Sequence, residues 1–260
     1  MYSWNFGFGP IEADFWRWMF LMTRIGAALL AAPLFGGVNV PYQLRVIAAG
    51  AIALLVAGWT NVQPPADLFS IYGMLAVAGE ILIGSALGFV LQFAFAAPVI
   101  AAELIGNGMG LGMAGTIDPQ NGAHSPAIGQ YFTVVLTLVF FALGCHLQWI
   151  ALVVKSYTVF APGHTWLAPD RVWEIVSYGS TLFATAVAMA LPVTLLLLLV
   201  MVMAGVLSRS APALNLFSLG LPAAIATGFA ALMATAPMLS DRMTELSAEA
   251  ITASARLIGG

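Results

Sequence analysis

The side chains best suited to catalysis are few in this chain and scattered along it. The histidines His124, His146 and His164 lie in a loop, in an apolar helical segment and just before a Thr-Trp pair. Cys145 and His146 are adjacent, and on a helix neighbouring side chains diverge by about 100°, so they do not form a nucleophile–base pair. HExxH, GxSxG, CxxC and phosphate-binding Gly-Lys motifs are absent from the sequence. We therefore expect no enzyme activity, metal or cofactor.

Three charged side chains lie inside apolar segments. Arg17 and Arg24 are seven residues apart, so a helix places them on nearly the same face. Each costs about 2.5–3.5 kcal/mol at a bilayer centre, so they face a partner, water or headgroups, or else both snorkel to opposite interfaces. Glu80 is either a transport carboxylate or one bonded within a helix contact, because Gly84 and Gly88 follow at small-xxx-small spacing. We interpret Arg17, Arg24 and Glu80 as buried charges for assembly contacts.

A glycine-rich apolar segment, 106–122, is both pliable and hydrophobic. Each glycine lowers helix propensity by about 1 kcal/mol relative to alanine, and methionine adds a flexible side chain that fits different surfaces. Irregular backbone at membrane depth is tolerated where it lines a cavity or is buried in protein. The segment is therefore either a deformable loop that closes a pore or a static, tightly packed connection. The candidate pore-closing residues are Gly106, Gly108, Met109, Gly110, Leu111, Gly112, Met113 and Gly115.

Composition indicates that these residues belong to a helical, membrane-associated protein. Of 260 residues, 61% are hydrophobic and 7% are charged, against about 25% charged in a typical soluble domain. Backbone in lipid must satisfy its own hydrogen bonds, which leaves helices or closed barrels. The continuous apolar run 195–202 excludes the alternation of barrel strands. The net charge of −3 without a basic block indicates no nucleic-acid partner.

Six apolar segments, separated mostly by breaks rich in proline, glycine or asparagine, predict a single helical domain. They cover residues 15–32, 46–59, 69–102, 128–154, 175–207 and 214–236. About 20 helical residues match a bilayer core, so the second segment is short and the third and fifth are long. Either the long helices tilt and kink at Pro98 and Pro192, or they pack mainly on protein and stand partly outside the bilayer.

The C-terminal stretch, 238–258, is predicted as a separate amphipathic helix. Its apolar residues recur at helical spacing among charged ones. We expect it to lie on an interface or, preferably, on a partner protein.

The most specific pattern lies between the last two apolar segments. Residues 208–222 read SRSAPALNLFSLGLP, which contains Arg209, Pro212, Asn215, Phe217, Gly220 and Pro222. This Arg-x-x-Pro-x-x-Asn-x-Phe-x-x-Gly-x-Pro pattern resembles the FliR family of flagellar biosynthetic proteins and the homologous subunit of virulence type III secretion systems. The similarity covers about residues 10–240, and it includes Arg24, Pro33, Phe35, Pro41, Arg45, Asp118, Pro119, Gly122, Pro126, Gly144, His146 and Leu147.

The resemblance implies an all-α, polytopic membrane-associated protein whose helical hairpins pack in a hetero-oligomeric export gate. Its partners would be FliP-like and FliQ-like subunits, FlhA- and FlhB-like components, and unfolded flagellar proteins as cargo. The location implied is the bacterial inner (plasma) membrane, at the flagellar basal body. Residues 1–160 would form a FliP-like part with the pore loop 106–122, and residues 170–260 a FliQ-like hairpin with the amphipathic tail. Arg209, Asn215 and Phe217 would shape the turn between helices.

Other functions remain open from the residues alone. A virulence type III secretion subunit shares the same pattern. A secondary transporter of small solutes would use Glu80, Glu103 and interrupted helices, although the sequence lacks the paired broken segments of inverted repeats. An intramembrane enzyme is disfavoured by the scattered histidines. The flagellar export-gate subunit is the preferred interpretation.

Overall fold

Every regular element among the described residues is a helix. The computed structural model describes residues 10–37, 40–60, 62, 65, 68–111, 127–161, 169–210 and 220–259. The helices in these ranges are α1 (Pro10–Ala31), α2 (Pro33–Gly36), α3 (Tyr42–Trp59), α4 (Ile71–Gly108), α5 (Ala127–Ala142), α6 (Cys145–Val159), α7 (Pro169–Ser210) and α8 (Leu221–Leu257). The all-α fold predicted from composition is confirmed.

Four of the described helices, α3, α4, α7 and α8, are long and apolar enough to cross a membrane. The pair α5 and α6 would make a fifth span if it crosses as one unit, although the two helices are bent by 71° relative to each other. The charged residues of α1, among them Arg17 and Arg24, keep this helix outside that group. The chain is therefore a polytopic membrane protein, as predicted.

The helix α8 corrects the prediction of a separate C-terminal helix. It runs without interruption from Leu221 through Pro237 to Leu257. Proline removes one backbone hydrogen bond from a helix, and neighbouring helices make that loss tolerable in membrane proteins. The apolar residues of the stretch are also buried by this chain's own packing, so no partner is needed to cover them. They are Leu239, Met243, Leu246, Ala250 and Leu257.

The fourth apolar segment is divided at Gly144, a break that the sequence interpretation missed. Gly144 adopts φ +67° and ψ 15°, a left-handed conformation that costs side-chain-bearing residues about 1–2 kcal/mol. Its carbonyl accepts hydrogen bonds from the amides of Leu147 (3.1 Å) and Gln148 (3.3 Å). The glycine therefore ends one helix and begins the next within three residues.

The helices pack as two compact units. Unit 1 contains Met1–Phe93, Gly144–Gly179 and Glu249–Gly260, and unit 2 contains Ala94–Leu143 and Ser180–Ala248. The long helices α4, α7 and α8 contribute residues to both. Each unit also draws on both of the predicted FliP-like and FliQ-like parts, so that division of the sequence stays a prediction.

Candidate functional site

In unit 1, two glycines allow α4 to lie directly against α1. A Cβ atom on Gly84 would lie 2.1 Å from the backbone oxygen of Arg24. A Cβ atom on Gly88 would lie 2.4 Å from the Cβ of Ala31 and 2.7 Å from the backbone oxygen of Ala28. Neither position has room for a side chain, so the close helix approach expected from the glycine spacing is present. This approach brings Glu80, one turn before Gly84, beside α1.

Glu80 and Arg24 form a two-pronged ion pair at this crossing. The Arg24 Nε donates to Glu80 Oε2 at 2.7 Å, and Nη2 donates to Oε1 at 2.9 Å. Both residues are almost fully buried, with relative exposures of 0% and 1%. Paired N–H groups of arginine match the two oxygens of a carboxylate, which makes this the strongest geometry for such a pair. Neither side chain reaches the surface of the chain, so the snorkelling alternative does not apply to Arg24.

The remaining donors of Arg24 reach α6 and the residue that follows it. Nη1 donates to the Ser156 hydroxyl at 3.1 Å, and Nη2 also donates to the Phe160 backbone oxygen at 3.0 Å. The guanidinium lies 4.2 Å from the ring centroid of Tyr157, and the Tyr157 hydroxyl donates to the Leu21 backbone oxygen at 2.5 Å. We call Arg24, Glu80, Ser156, Tyr157 and Phe160 the Arg24 clamp. It ties α1, α4 and α6 together with its charges neutralised.

Arg17 has a different environment from Arg24, although both lie on one face of α1. Its Nη2 donates to the backbone oxygens of Ala57 (2.7 Å) and Thr60, at the carbonyl end of α3. The last carbonyls of a helix have no partners within it and carry partial negative charge, so a cation there is favourable. Arg17 is half-buried, and it therefore fixes the end of α3 against α1.

In unit 2, the glycine-rich segment begins as the last turn of a helix. The helix α4 continues to Gly108, three residues into the segment that was predicted as a loop. The Leu111 amide then donates to the Gly106 oxygen (2.9 Å) and the Gly110 amide to the Asn107 oxygen (3.0 Å). With Gly110 at φ +78°, this is the Schellman motif, in which a left-handed glycine closes a helix.

The side chains at this helix end are packed on α7 and α8. Met109 has no exposed surface, and its Cγ, Sδ and Cε lie within 2.5–2.8 Å of where a Cβ atom on Gly228 would be. A Cβ on Gly108 would lie 3.0 Å from Leu197, and one on Gly110 would lie 2.5 Å from Leu221. The described part of the segment is thus packed against α7 through Leu197 and against α8 through Leu221 and Gly228.

The structure describes only some of the residues predicted from the motifs. Gly112, Met113, Gly115, Pro212, Asn215 and Phe217 lie outside the described residues. Arg209 is exposed in the last turn of α7, Gly220 is buried immediately before α8, and Pro222 is the second residue of α8. Within the described ranges, no three metal-ligating side chains (His, Cys, Asp or Glu) come together.

The sequence did not predict several of these contacts, among them those of Ser156, Tyr157 and Gly228. Ser156 and Tyr157 lie in a helix whose pattern gives no sign that it faces Arg24. Gly228 had a detectable signal, because Ala224 and Gly228 are four residues apart and leave a small-residue face on α8.

This chain is similar in sequence to known proteins along almost its whole length. The family model described as bacterial export proteins, family 1, matches residues 15–250. The flagellar biosynthetic protein FliR of Escherichia coli strain K12 is 30% identical over 231 residues, which cover 88% of this chain and 87% of that protein. FliR of Bacillus subtilis strain 168 is 30% identical over 214 residues, with 81% and 82% covered. FliR of Caulobacter vibrioides is 28% identical over 234 residues, with 87% and 92% covered.

Proposed function

This chain belongs to the FliR family of bacterial export proteins, and on that premise we propose that it is a membrane subunit of the flagellar protein-export apparatus. Its role is to form part of the passage through which unfolded flagellar proteins leave the cytoplasm. The similarity to three FliR proteins extends over more than four fifths of the chain, which supports a shared role for the whole molecule.

The lengths of three helices support a position within a larger assembly. The helices α4, α7 and α8 contain 38, 42 and 37 residues, or roughly 55–63 Å each at 1.5 Å per residue. A bilayer core is about 30 Å thick. Large apolar side chains are nevertheless exposed along α7 from Val172 to Leu207. This apolar face is longer than the hydrocarbon core of a bilayer, so other protein subunits cover the part of α7 that lipid does not reach.

FliP-like and FliQ-like subunits are the partners that the family resemblance favours, with FlhA- and FlhB-like components on the cytoplasmic side of the inner membrane. Such polytopic neighbours would also consist of helical hairpins with apolar sides, and these sides would pack against the apolar faces of this chain. The exposed apolar face of α3 adds to this surface, since only 22% of that helix is buried within the chain.

The glycine-rich segment, Gly106–Gly122, is our candidate for the element that closes the passage. Its glycines permit changes of backbone conformation, and Leu111 and Met113 supply apolar side chains without charge. Residues beyond Leu111 lie outside the described part of the chain, so this assignment is supported by residue types and by the family resemblance. Deletion of residues 112–120 should make the resting membrane leak small ions, measured as proton or potassium flux in vesicles. Unchanged flux would contradict the assignment.

The environment of Glu80 weighs against the alternative of a small-solute transporter. A transport carboxylate needs access to water or to an ion, whereas Glu80 is buried and bound by two donors of Arg24. Its position serves helix packing.

Two measurements test the proposed function. Deletion of the gene should abolish secretion of the flagellar filament protein, and the wild-type gene should restore it. The chain, extracted in a mild detergent and weighed by native mass spectrometry, should appear in a large hetero-oligomer with other polytopic proteins. Undiminished secretion, together with a monomer or small homo-oligomer, would refute the proposal. Loss of an injected virulence protein in place of the filament protein would assign the chain to the virulence system.

A further inference from the structure

Met109 occupies an unexpected place for a side chain at the start of a closing segment. We propose that Met109 is an anchor that fixes the base of the glycine-rich segment to α8, with Gly228 as its seat, and that it stays on Gly228 while cargo passes. This inference rests on the proposed function for its role in export. It divides the segment into an anchored base, Gly106–Leu111, and the residues that follow.

The contact between Met109 and Gly228 requires a glycine. Three consecutive atoms of the methionine side chain, Cγ, Sδ and Cε, lie 2.5, 2.7 and 2.8 Å from the position of an added Cβ. Cγ is close to the main chain, so rotating the end of the side chain does not remove the collision. Because Met109 has no exposed surface, its displacement would disturb the packing around it.

The neighbours of Gly228 along α8 complete the seat. Ala224, one turn earlier, has no exposed surface, and Ala231, almost one turn later, is 4% exposed. Small side chains at these spacings lie on one face of a helix and leave a shallow depression that an unbranched side chain fills. Methionine suits such a depression because its three rotatable bonds and thioether adapt to the surface.

The residues on either side of Met109 are held as well. Gly108 packs against Leu197 of α7 and Gly110 against Leu221 of α8, and the Schellman hydrogen bonds fix the backbone between them. A side chain that blocks a passage must face that passage. Met109 faces the interior of unit 2, and this excludes it from the blocking surface that Leu111 and the following residues would form.

A cysteine pair tests the anchor directly. In the full-length chain with Cys145→Ala, the variant Met109→Cys/Gly228→Cys should form a disulfide on mild oxidation, because the Met109 Cγ lies where a cysteine sulfur would be, 2.5 Å from the Cβ position of residue 228. A disulfide needs Cβ atoms about 3.5–4.5 Å apart. The control is Met109→Cys/Gly205→Cys, since Gly205 has nothing within 4 Å of its Cβ position, and it should form no disulfide.

Secretion by the oxidised pair distinguishes an anchor from a moving stopper. An anchored Met109 predicts unchanged secretion of the filament protein before and after reduction. A disulfide that blocks secretion until a reductant is added would overturn the proposal, as would failure of the pair to form a disulfide. If deletion of the whole gene leaves secretion intact, the proposed function fails, while disulfide formation still reports on the seat.

A size exchange provides a second test that does not depend on disulfide chemistry. Gly228→Ala should lower the amount of folded chain in the membrane, and adding Met109→Ala should restore it by making room for the new methyl group. Gly205→Ala should leave the amount unchanged. Failure of Met109→Ala to compensate would show that residues 109 and 228 are not in contact.

Discussion

At the scale of single residues, the Arg24 clamp explains how an apolar chain contains buried charge. Burying two ions costs several kcal/mol each, and the cost is offset only when the pair has good geometry and additional hydrogen bonds. Arg24 meets both conditions, since it makes two bonds to Glu80 and others to Ser156 and the Phe160 backbone. The clamp therefore specifies one packing of α1, α4 and α6.

Removing one member of the clamp should be far more harmful than removing an exposed pair. We expect Glu80→Ala to destabilise the chain by about 3–5 kcal/mol, because it leaves a buried guanidinium without its counter-charge. Thermal unfolding of the purified protein in detergent measures this loss. The matched control is Glu245→Ala, whose partner Arg242 is 49% exposed in a surface pair, and its loss should stay within about 1 kcal/mol. Equal midpoints for the two variants would contradict the role of the clamp.

The sequence predicts which charges are unusual but cannot predict all of their partners. The spacing of Arg17 and Arg24 indicates a common face, and the glycines after Glu80 indicate a helix contact. The structure places the two arginines in different environments on that face, because one meets a carboxylate and the other the carbonyl end of α3. Backbone acceptors carry no signature in the sequence, so the contacts of Arg17 with Ala57 and Thr60 were not predictable.

At the scale of helices, the sequence gives the apolar segments correctly and their ends poorly. Prolines 98, 192 and 237 all lie inside helices, although the sequence pattern predicts a boundary at Pro237. Gly144 does divide a segment, and its residue type alone does not predict the break, because glycine is common in membrane helices. Tertiary packing decides whether a residue that disfavours helix ends a helix, as Gly144 does, or is tolerated inside it, as these prolines are.

The crossing of α1 and α4 should be intolerant of even one methyl group. Gly84→Ala would place Cβ 2.1 Å from a backbone oxygen, and a main-chain collision is relieved only by separating the helices. We expect a loss of about 1–3 kcal/mol, as for other overpacked sites. The control is Gly26→Ala in α1, the other helix of the crossing, where a Cβ atom would have nothing within 4 Å, and it should be neutral or slightly stabilising. The thermal unfolding midpoints of both variants measure this difference. A Gly84→Ala protein as stable as the wild type would exclude the close approach of α1 and α4.

The bend between α5 and α6 should depend on backbone conformation alone. Gly144 has a left-handed φ of +67° and no atoms within 4 Å of a Cβ position, so a substitution causes strain without collision. Gly144→Ala should cost about 1–2 kcal/mol, and Gly144→Asn less, because asparagine adopts this conformation more readily. Equal stability of the alanine and asparagine variants would argue against the conformational explanation. Unfolding midpoints in detergent provide the comparison.

At the scale of the whole molecule, the exposed apolar surface is longer than a membrane is thick. Trp173, Phe183, Leu195 and Val206 of α7 are 52–71% exposed, and they span roughly 50 Å along the helix. Fitting that length into about 30 Å of hydrocarbon requires a tilt of roughly 50°, beyond the usual range of 0–40°. We therefore expect part of α7 to contact other protein in the assembled state.

Cysteine labelling along α7 should detect that part. With Cys145→Ala, single cysteines at positions 173, 183, 195 and 206 are treated with a membrane-impermeant thiol reagent. At least one should react when the chain is reconstituted alone in vesicles and should be protected in the assembled complex. The wild-type chain, whose single cysteine Cys145 is 4% exposed, serves as the unreactive control. Complete protection of all four positions in the isolated chain would mean that lipid alone covers the helix.

The contacts of the Arg24 clamp also limit how early α1 can pack against its partners during biosynthesis. Arg24 leaves the ribosome 56 residues ahead of Glu80 and 136 residues ahead of Phe160. At translation rates of about 5–20 residues per second, roughly 7–27 s pass before the last of these partners has been made. During that interval the guanidinium must be held by water, lipid headgroups or the insertion machinery. The helix α1 thus reaches its final place only after α6 has emerged, so the order of packing differs from the order of translation.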